Sequence, residues 1–392
     1  MRLFWILACT GVLAATTGCR AFSQTASPPA GAEQSRGLLG GLRPARVRDG
    51  VRTAMGRGVD EKAARQAYAE ADDLFQQASD AEGRKRAKLF RQAADKYAEA
   101  AERLPDSMLQ EDAMFMKGEA HFFADEYSKS QKAYEELIGA YPNTRHIDRI
   151  DARRFDIAQY WLAVHRKDSK FFLTPNFRDE KLPHNDTFGN AVRVFDKVRL
   201  DDPTGRLADD ATMAAASAYF ADGDYAQAEV FLADLRRTYP ESEHQFDAAL
   251  LAIKSKIQLY QGSDYDSQHL EEALQLIDLT FDQFPQQAAE HREYLEKSYK
   301  DCRVKLALRD WRTAQFYDNR KEYGGARRYY VKVMQDFPDT SLAEDAQTRV
   351  EQIQGRPDSP EQPAQWLVDR IPEKDNQHKP LLSGSPFRWL RR

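Results

Sequence analysis

The sequence predicts an all-α protein, a solenoid of antiparallel helix pairs between two disordered arms, and three observations carry that prediction. Residues 59–355 are rich in Ala, Leu, Glu, Gln and Arg at helical spacing, with few β-branched runs. Six prolines inside that stretch, Pro105, Pro142, Pro203, Pro240, Pro285 and Pro338, share one local context. Charge separates body from arms: residues 59–355 hold 42 basic and 55 acidic residues, a net of −13, whereas 20–58 carry +5 and 356–392 carry +2. An acidic body argues against nucleic acid as the main partner.

The prolines set a register. Fifteen residues before them stand Phe90, Tyr127, Phe188, Tyr225, Leu270 and Tyr323, five aromatics and one aliphatic. Twelve before stand Ala93, Ser130, Ala191, Ala228, Ala273 and Ala326, all small, and eight before stand Tyr97, Tyr134, Phe195, Leu232, Ile277 and Tyr330, all large. A helix closes at or just before proline, which lacks an N–H and crowds the residue ahead of it. Small residues let two antiparallel helices approach, and large ones at the next turns fill the space between pairs.

The elements follow in order. The solenoid begins near residue 59, and successive anchors lie 37, 61, 37, 45 and 53 residues apart. The 61-residue interval contains HRKDSKFFLTPNFRDEKLPHND, residues 165–186, which has two prolines and no helical period and is expected to be a loop insertion. A closing helix is expected from Ser341, capped by that side chain with Glu344 reaching back, to near Gly355. Residues 19–58 read as a flexible basic linker. Residues 356–392, broken by six prolines, read as a disordered tail whose LLSGSPFRWLRR end offers Trp389 and arginines to a partner or a lipid surface.

The first eighteen residues resemble an export signal. Arg2 precedes the apolar run Leu3 to Ala15, too short to span a bilayer core, and Thr17-Gly18 stand directly before Cys19. That resembles a bacterial lipoprotein signal, which implies cleavage before Cys19, lipidation of its thiol and tethering to a membrane. The alternative is an ordinary secretory signal. Cys9 leaves with the signal, and with Cys19 lipidated only Cys302 remains, so one chain builds neither a disulfide framework nor a thiolate metal site.

FADGDYAQAEVFLADLRRTYPES and EYGGARRYYVKVMQDFPDTS resemble tetratricopeptide repeats, whose unit of about 34 residues ends in an A…F…P pattern. Ala216, Tyr219, Tyr225, Ala228 and Pro240 of the fourth unit each match that pattern. Together with the lipoprotein signal, the arm and the YPNT, YPES and FPDT endings, the chain resembles the BamD-like family of outer-membrane β-barrel assembly lipoproteins over roughly residues 60–354. WRTAQFYDNRKEYGGARRYYVKVMQDFPDTSLAEDA, residues 311–346, and the loop with SKFF carry that likeness best. Six units stand where the family has about five, and the Pro-rich tail is additional. The resemblance implies a lipid-anchored scaffold on the periplasmic face of the outer membrane, with the β-barrel assembly machinery or unfolded outer-membrane proteins as partners. The alternatives are a periplasmic adaptor for cell-wall or cell-division proteins, and an enzyme with an unrecognised site.

Motifs of catalysis are missing. The eight histidines, 121, 146, 165, 184, 244, 269, 291 and 378, show no metal spacing, and no P-loop, GxSxG or GxGxxG occurs. The pairs Asp72-Asp73, Asp201-Asp202 and Asp209-Asp210 are expected at turns or helix starts. Cys302 is expected to be a small buried residue. No catalytic residue, metal ligand or cofactor is therefore assigned. Binding is the better lead: the first helix of each pair lines the concave face of such a solenoid, placing Phe115, Phe122, Phe123, Met213, Phe220 and Trp311 at candidate partner-binding positions. Acidic walls there would select basic segments. For any one of these aromatics, packing inside the helix pair is an equal expectation.

Overall fold

The structure, a computed structural model, describes residues 59–167, 175–176, 179–360 and 370. The chain divides into two units, 1–58 and 59–392. The first, with the signal, Cys19 and the linker, lies outside the described residues, as do most of the tail, Trp389 included, and the loop residues 168–174 and 177–178.

The described residues form fourteen α-helices and no strand. The first four are α1 (Glu61–Ser79), α2 (Gly83–Arg103), α3 (Met108–Phe123) and α4 (Tyr127–Ala140). Next come α5 (Ile147–Lys167), α6 (Thr187–Asp201), α7 (Ala208–Asp222), α8 (Tyr225–Thr238), α9 (Gln245–Leu259) and α10 (Gln268–Gln283). The last are the one-and-a-half-turn α11 (Pro285–Glu290), then α12 (Arg292–Asn319), α13 (Tyr323–Asp336) and α14 (Ser341–Ile353). Each helix packs mainly on its neighbours in sequence, giving six pairs, α1/α2, α3/α4, α5/α6, α7/α8, α9/α10 and α12/α13, closed by α14.

The proline register has a common backbone cause. The residues before the six anchors, Leu104, Tyr141, Asp202, Tyr239, Phe284 and Phe337, all cap a helix with φ between −136° and −120° and ψ between 50° and 81°. Proline excludes the helical ψ from the residue before it, so each helix ends there. Five of the prolines then lead into a turn, while Pro285 opens α11, an extra helix that the register does not predict, with its fixed φ at the first helical position. At the other end, the side chains of Asp60, Ser107, Asp186 and Asp224 accept the third backbone N–H beyond themselves. In four of the six pairs the turn uses the left-handed region at one equivalent site, seventeen residues before the anchor, occupied by Asp125, Asp186, Gly223 and Lys321, with φ of 62°, 44°, 89° and 62°.

All six small residues of the register have no exposed surface, and the six large ones are at most 2% exposed. Gly118 shows why space is short: a Cβ there would lie 2.3 Å from Cε1 of Tyr134, and Ser130 donates its hydroxyl to the Gly118 carbonyl at 2.9 Å. A continuous apolar core runs from Ile157 to Leu295, whereas the helices before it are held by smaller clusters.

Two local expectations fail. Ser341 is the first residue of α14 and not its cap; Thr340 stands at the N-cap and makes no side-chain cap, its hydroxyl going to the Phe337 carbonyl at 2.8 Å. Asp72 lies in the middle of α1, where it accepts the Tyr97 hydroxyl at 2.6 Å. That bond, not the helix dipole, accounts for an acid there.

Candidate protein-binding surface

The six aromatic and methionine positions fall into equivalent ranks on the first helix of each pair. Phe115, Met213 and Trp311 precede their anchors by 27 residues, Phe122 and Phe220 by 20, and Phe123 by 19. The first rank turns toward its own pair: the Phe115 ring lies 6.4 Å from Tyr134 and Trp311 lies 5.0 Å from Tyr330. Phe115 is 1% exposed, stacked on its other side by His146 at 4.2 Å and overlaid by the Arg149 guanidinium at 4.5 Å. It is a core residue and offers no surface to a partner. Met213 and Trp311 are half-buried.

Two members of this rank escape the sequence reading. Tyr68 packs on Tyr97 at 5.3 Å and Phe155 on Phe195 at 5.2 Å, the same geometry in the first and third pairs. The long first pair and the 165–186 insertion displace them from the proline count. The residue three places on is Ala71, Gly118, Ala158, Ala216 or Ala314, buried in every case, and a count from that small residue recovers the rank.

The second rank keeps part of its ring surface. Phe122 packs on Tyr127 at 5.5 Å and Phe220 on Tyr225 at 5.2 Å, both half-buried. Phe123 stacks on Phe90 at 5.6 Å, and the Arg153 guanidinium lies 4.5 Å from the Phe122 ring centre and 5.1 Å from that of Phe123. Such cation–π contacts contribute about 0.5–2 kcal/mol each. Where α3 meets α5, the rings of Phe122 and Phe123 thus lie beneath a guanidinium group.

Buried carboxylates hold these cations in place. Glu119, 2% exposed, accepts the Tyr134 hydroxyl at 2.7 Å and both Arg153 donors at 3.0 and 3.2 Å. Burial, with the Glu119 charge beside it, pushes the Tyr134 hydroxyl well above the usual phenol range. Glu126, 1% exposed, joins the first pair to the second through Arg91 at 2.7 Å and accepts from His121 at 2.7 Å and Lys129 at 2.8 Å within its own pair. Burial alone would raise its pKa, but the bonds from His121, Lys129 and Arg91 outweigh it and bring the carboxyl down to about 2. The insertion is tied to the same edge: Glu180 pairs with Arg91, Lys181 with Asp125 at 3.2 Å, and Trp161 Nε1 donates to the Lys181 carbonyl at 2.7 Å.

A further contact recurs between pairs. His146 Nε2 lies 2.8 Å from Asp112, and 98 residues on His244 Nε2 lies 2.7 Å from Asp210. Glu243 brings a third ligand atom within 4.8 Å of those of Asp210 and His244. The equivalent clasp at Asp112 has no such carboxylate, so the shared feature is a fastening between pairs. Cys302 is fully buried, and burial pushes its thiol up to about 11, which suits a packing residue and not a nucleophile.

Comparison with known proteins adds a family. The outer membrane lipoprotein family YfiO matches residues 179–357, and the tetratricopeptide repeat family matches residues 112–144. The likeness is to a repeat-built outer membrane lipoprotein. Two solved structures resemble the chain: the C-terminal part of a tetratricopeptide repeat-containing protein from Cytophaga hutchinsonii and PilW, a widely conserved type IV pilus biogenesis factor. The first is 10% identical, covers 73% of this chain and 99% of its own, and has a TM-score of 0.29. PilW is 15% identical, covers 71% and 98%, and has a TM-score of 0.23. The fold is that of the helices themselves. No curated protein sequence matches. Register, helix pairs and family matches together make the chain a tetratricopeptide-type protein-interaction scaffold. None of the helices in the described residues is long and apolar enough to cross a membrane.

Proposed function

We propose that this chain is a non-catalytic scaffold, tethered to the outer membrane through a lipidated Cys19 and facing the periplasm, that binds protein segments during β-barrel assembly. The observation that carries this reading is the outer membrane lipoprotein match over residues 179–357, joined to the Thr17-Gly18-Cys19 signal of the sequence. Partners meet the solenoid at the half-buried rings of Phe122, Phe123, Phe220 and Trp311 and the half-buried thioether of Met213. Phe115 acts behind them by holding α3 against α4 and His146.

Two experiments test it. Cys19→Ala should move the protein from the membrane to the soluble fraction; retention on membranes would place the anchoring elsewhere. Phe122→Ala with Phe220→Ala should lower partner capture while helical content is kept, and unchanged capture would rule these rings out as partner contacts. A periplasmic adaptor for cell-wall or division proteins is the second reading, favoured only by the general binding nature of the repeat.

A further inference from the structure

The joint between the second and third pairs is unlike the others. The backbones of helices α4 and α5 come close at fewer places than those of the full-length helices at any other joint between pairs. On α5 the inward-facing residues are Ile150, Arg154, Ile157 and Trp161. Ile150 belongs to the cluster of Phe115, Tyr134 and Leu137, and Ile157 begins the long core, so Arg154 sits where the two apolar bodies would otherwise fuse. It has no exposed surface, and neighbouring Asp151 is 4% exposed.

This layer is incompletely satisfied. Arg154 Nη1 bonds Asp201 of α6 at 2.6 Å and stands 3.8 Å from Asp151, yet Arg154 Nε, Asp151 Oδ1 and Gln131 Oε1 of α4 are buried without hydrogen-bond partners among the described residues. Unpaired buried polar atoms cost about 1–3 kcal/mol each. What closes the joint instead is on its rims: Arg149 and Arg153 of α5 on Glu119 of α3, the His146–Asp112 clasp, Tyr160 on Tyr127 at 5.3 Å, and Lys197 of α6 on Glu135 of α4.

We propose that this joint is a proton-gated hinge of the solenoid, closed when Asp151 holds a proton and freed to open when it does not. The charged groups acting on Asp151 are Arg154 and Asp148 of α5, Asp201 of α6 and Asp202 beyond it; on α4, Glu135 faces Arg154 and holds Lys197 of α6 and Gln131. Burial, opposed by Arg154 and reinforced by Asp202, Asp201 and Asp148, pushes the Asp151 carboxyl up to about 7. Water reaching the opened joint lowers it toward the ordinary carboxylate range, so opening releases a proton. The sign follows: a carboxyl whose closed-state pKa is raised favours the closed state at low pH, loses ground as pH rises, and loses no more once pH passes the closed-state value. The solenoid would therefore be straightened or bent by envelope pH at one joint while the core from Ile157 to Leu295 stays intact.

Hydrogen exchange on the full chain, corrected for the intrinsic pH dependence of exchange, tests this. Opening measured at the amides of 147–158 should increase by up to about tenfold per pH unit between pH 5 and 7, then level off, the slope that release of one proton sets. Amides of α7 and α8 should show no such slope. Asp151→Asn should abolish the slope in α5 and keep the joint closed. Asp201→Asn should turn Arg154 fully onto Asp151 and move the levelling-off to lower pH, a response that a purely structural role would not give. A slope that persists in Asp151→Asn, or that runs equally through α7 and α8, would overturn the hinge.

Discussion

The stack from α5 to α12 and the joint that precedes it obey one register but are held by different forces. In the stack, Val194, Phe195, Val198, Leu232, Leu235, Leu250, Ile253 and Ile277 bury an uninterrupted apolar seam. At the joint, the same helical face carries Arg154 and Asp151, and the closing contacts are ion pairs, ring stacks and guanidinium groups over phenyl rings. Apolar burial is non-directional and gains with every atom removed from water. A buried ion pair gives little net stability but is costly to break one-sidedly. The seam therefore sets how firmly the solenoid holds, and the joint sets where it yields.

The largest expected effect breaks the seam. Phe195→Ala should cost about 3–5 kcal/mol, since a fully buried ring leaves a cavity that neighbouring helices close only partly; urea unfolding reads this as a lower midpoint. Arg154→Ala should cost a comparable amount, roughly 3–5 kcal/mol, by leaving Asp201 without its cation. Replacing the whole ionic group, Arg154→Met with Asp151→Leu and Asp201→Leu, should instead be neutral or stabilising, because the joint then becomes an extension of the seam. If that variant were as unstable as Arg154→Ala, the contrast between the two regions would fall.

Smaller effects sharpen it. Gly118→Ala should destabilise by about 1–3 kcal/mol, because the new methyl meets the Tyr134 ring and that ring is fully buried. Acid should act at the Glu126 fastening: its carboxyl is held below the unfolded value, so its contribution is complete above about pH 4.5 and is lost as pH falls toward about 2. Glu126→Gln should remove that part of the acid response, read by circular dichroism across the titration. Lys321→Gly should stabilise by about 0.5–1 kcal/mol, as its left-handed backbone matches the one Gly223 provides in the fourth pair.

Much of the fold is legible because proline acts locally. Six prolines each force one ψ at the residue before them, and counting back reaches the small and large core positions without any knowledge of tertiary contacts. The candidate surface is less legible. Phe115 and Phe122 stand seven residues apart on one helix and look alike, yet His146 and Arg149 from the next pair close over one, while the other keeps an edge. Arg154 reads as an ordinary surface charge in IDRIDARRFD, and Glu119 and Glu126 as solvated acids. Their burial depends on partners 34 to 47 residues away, which no local pattern encodes.

In the proposed function the solenoid works at the outer membrane by holding proteins of the β-barrel assembly pathway. Crosslinking in native membranes, followed by recovery of the full chain and identification of what is attached, tests it most directly. The account predicts β-barrel assembly components or unfolded outer-membrane proteins, captured less well by the Phe122→Ala, Phe220→Ala variant. Recovery of cell-wall or division proteins in their place, or capture indifferent to that variant, would contradict it.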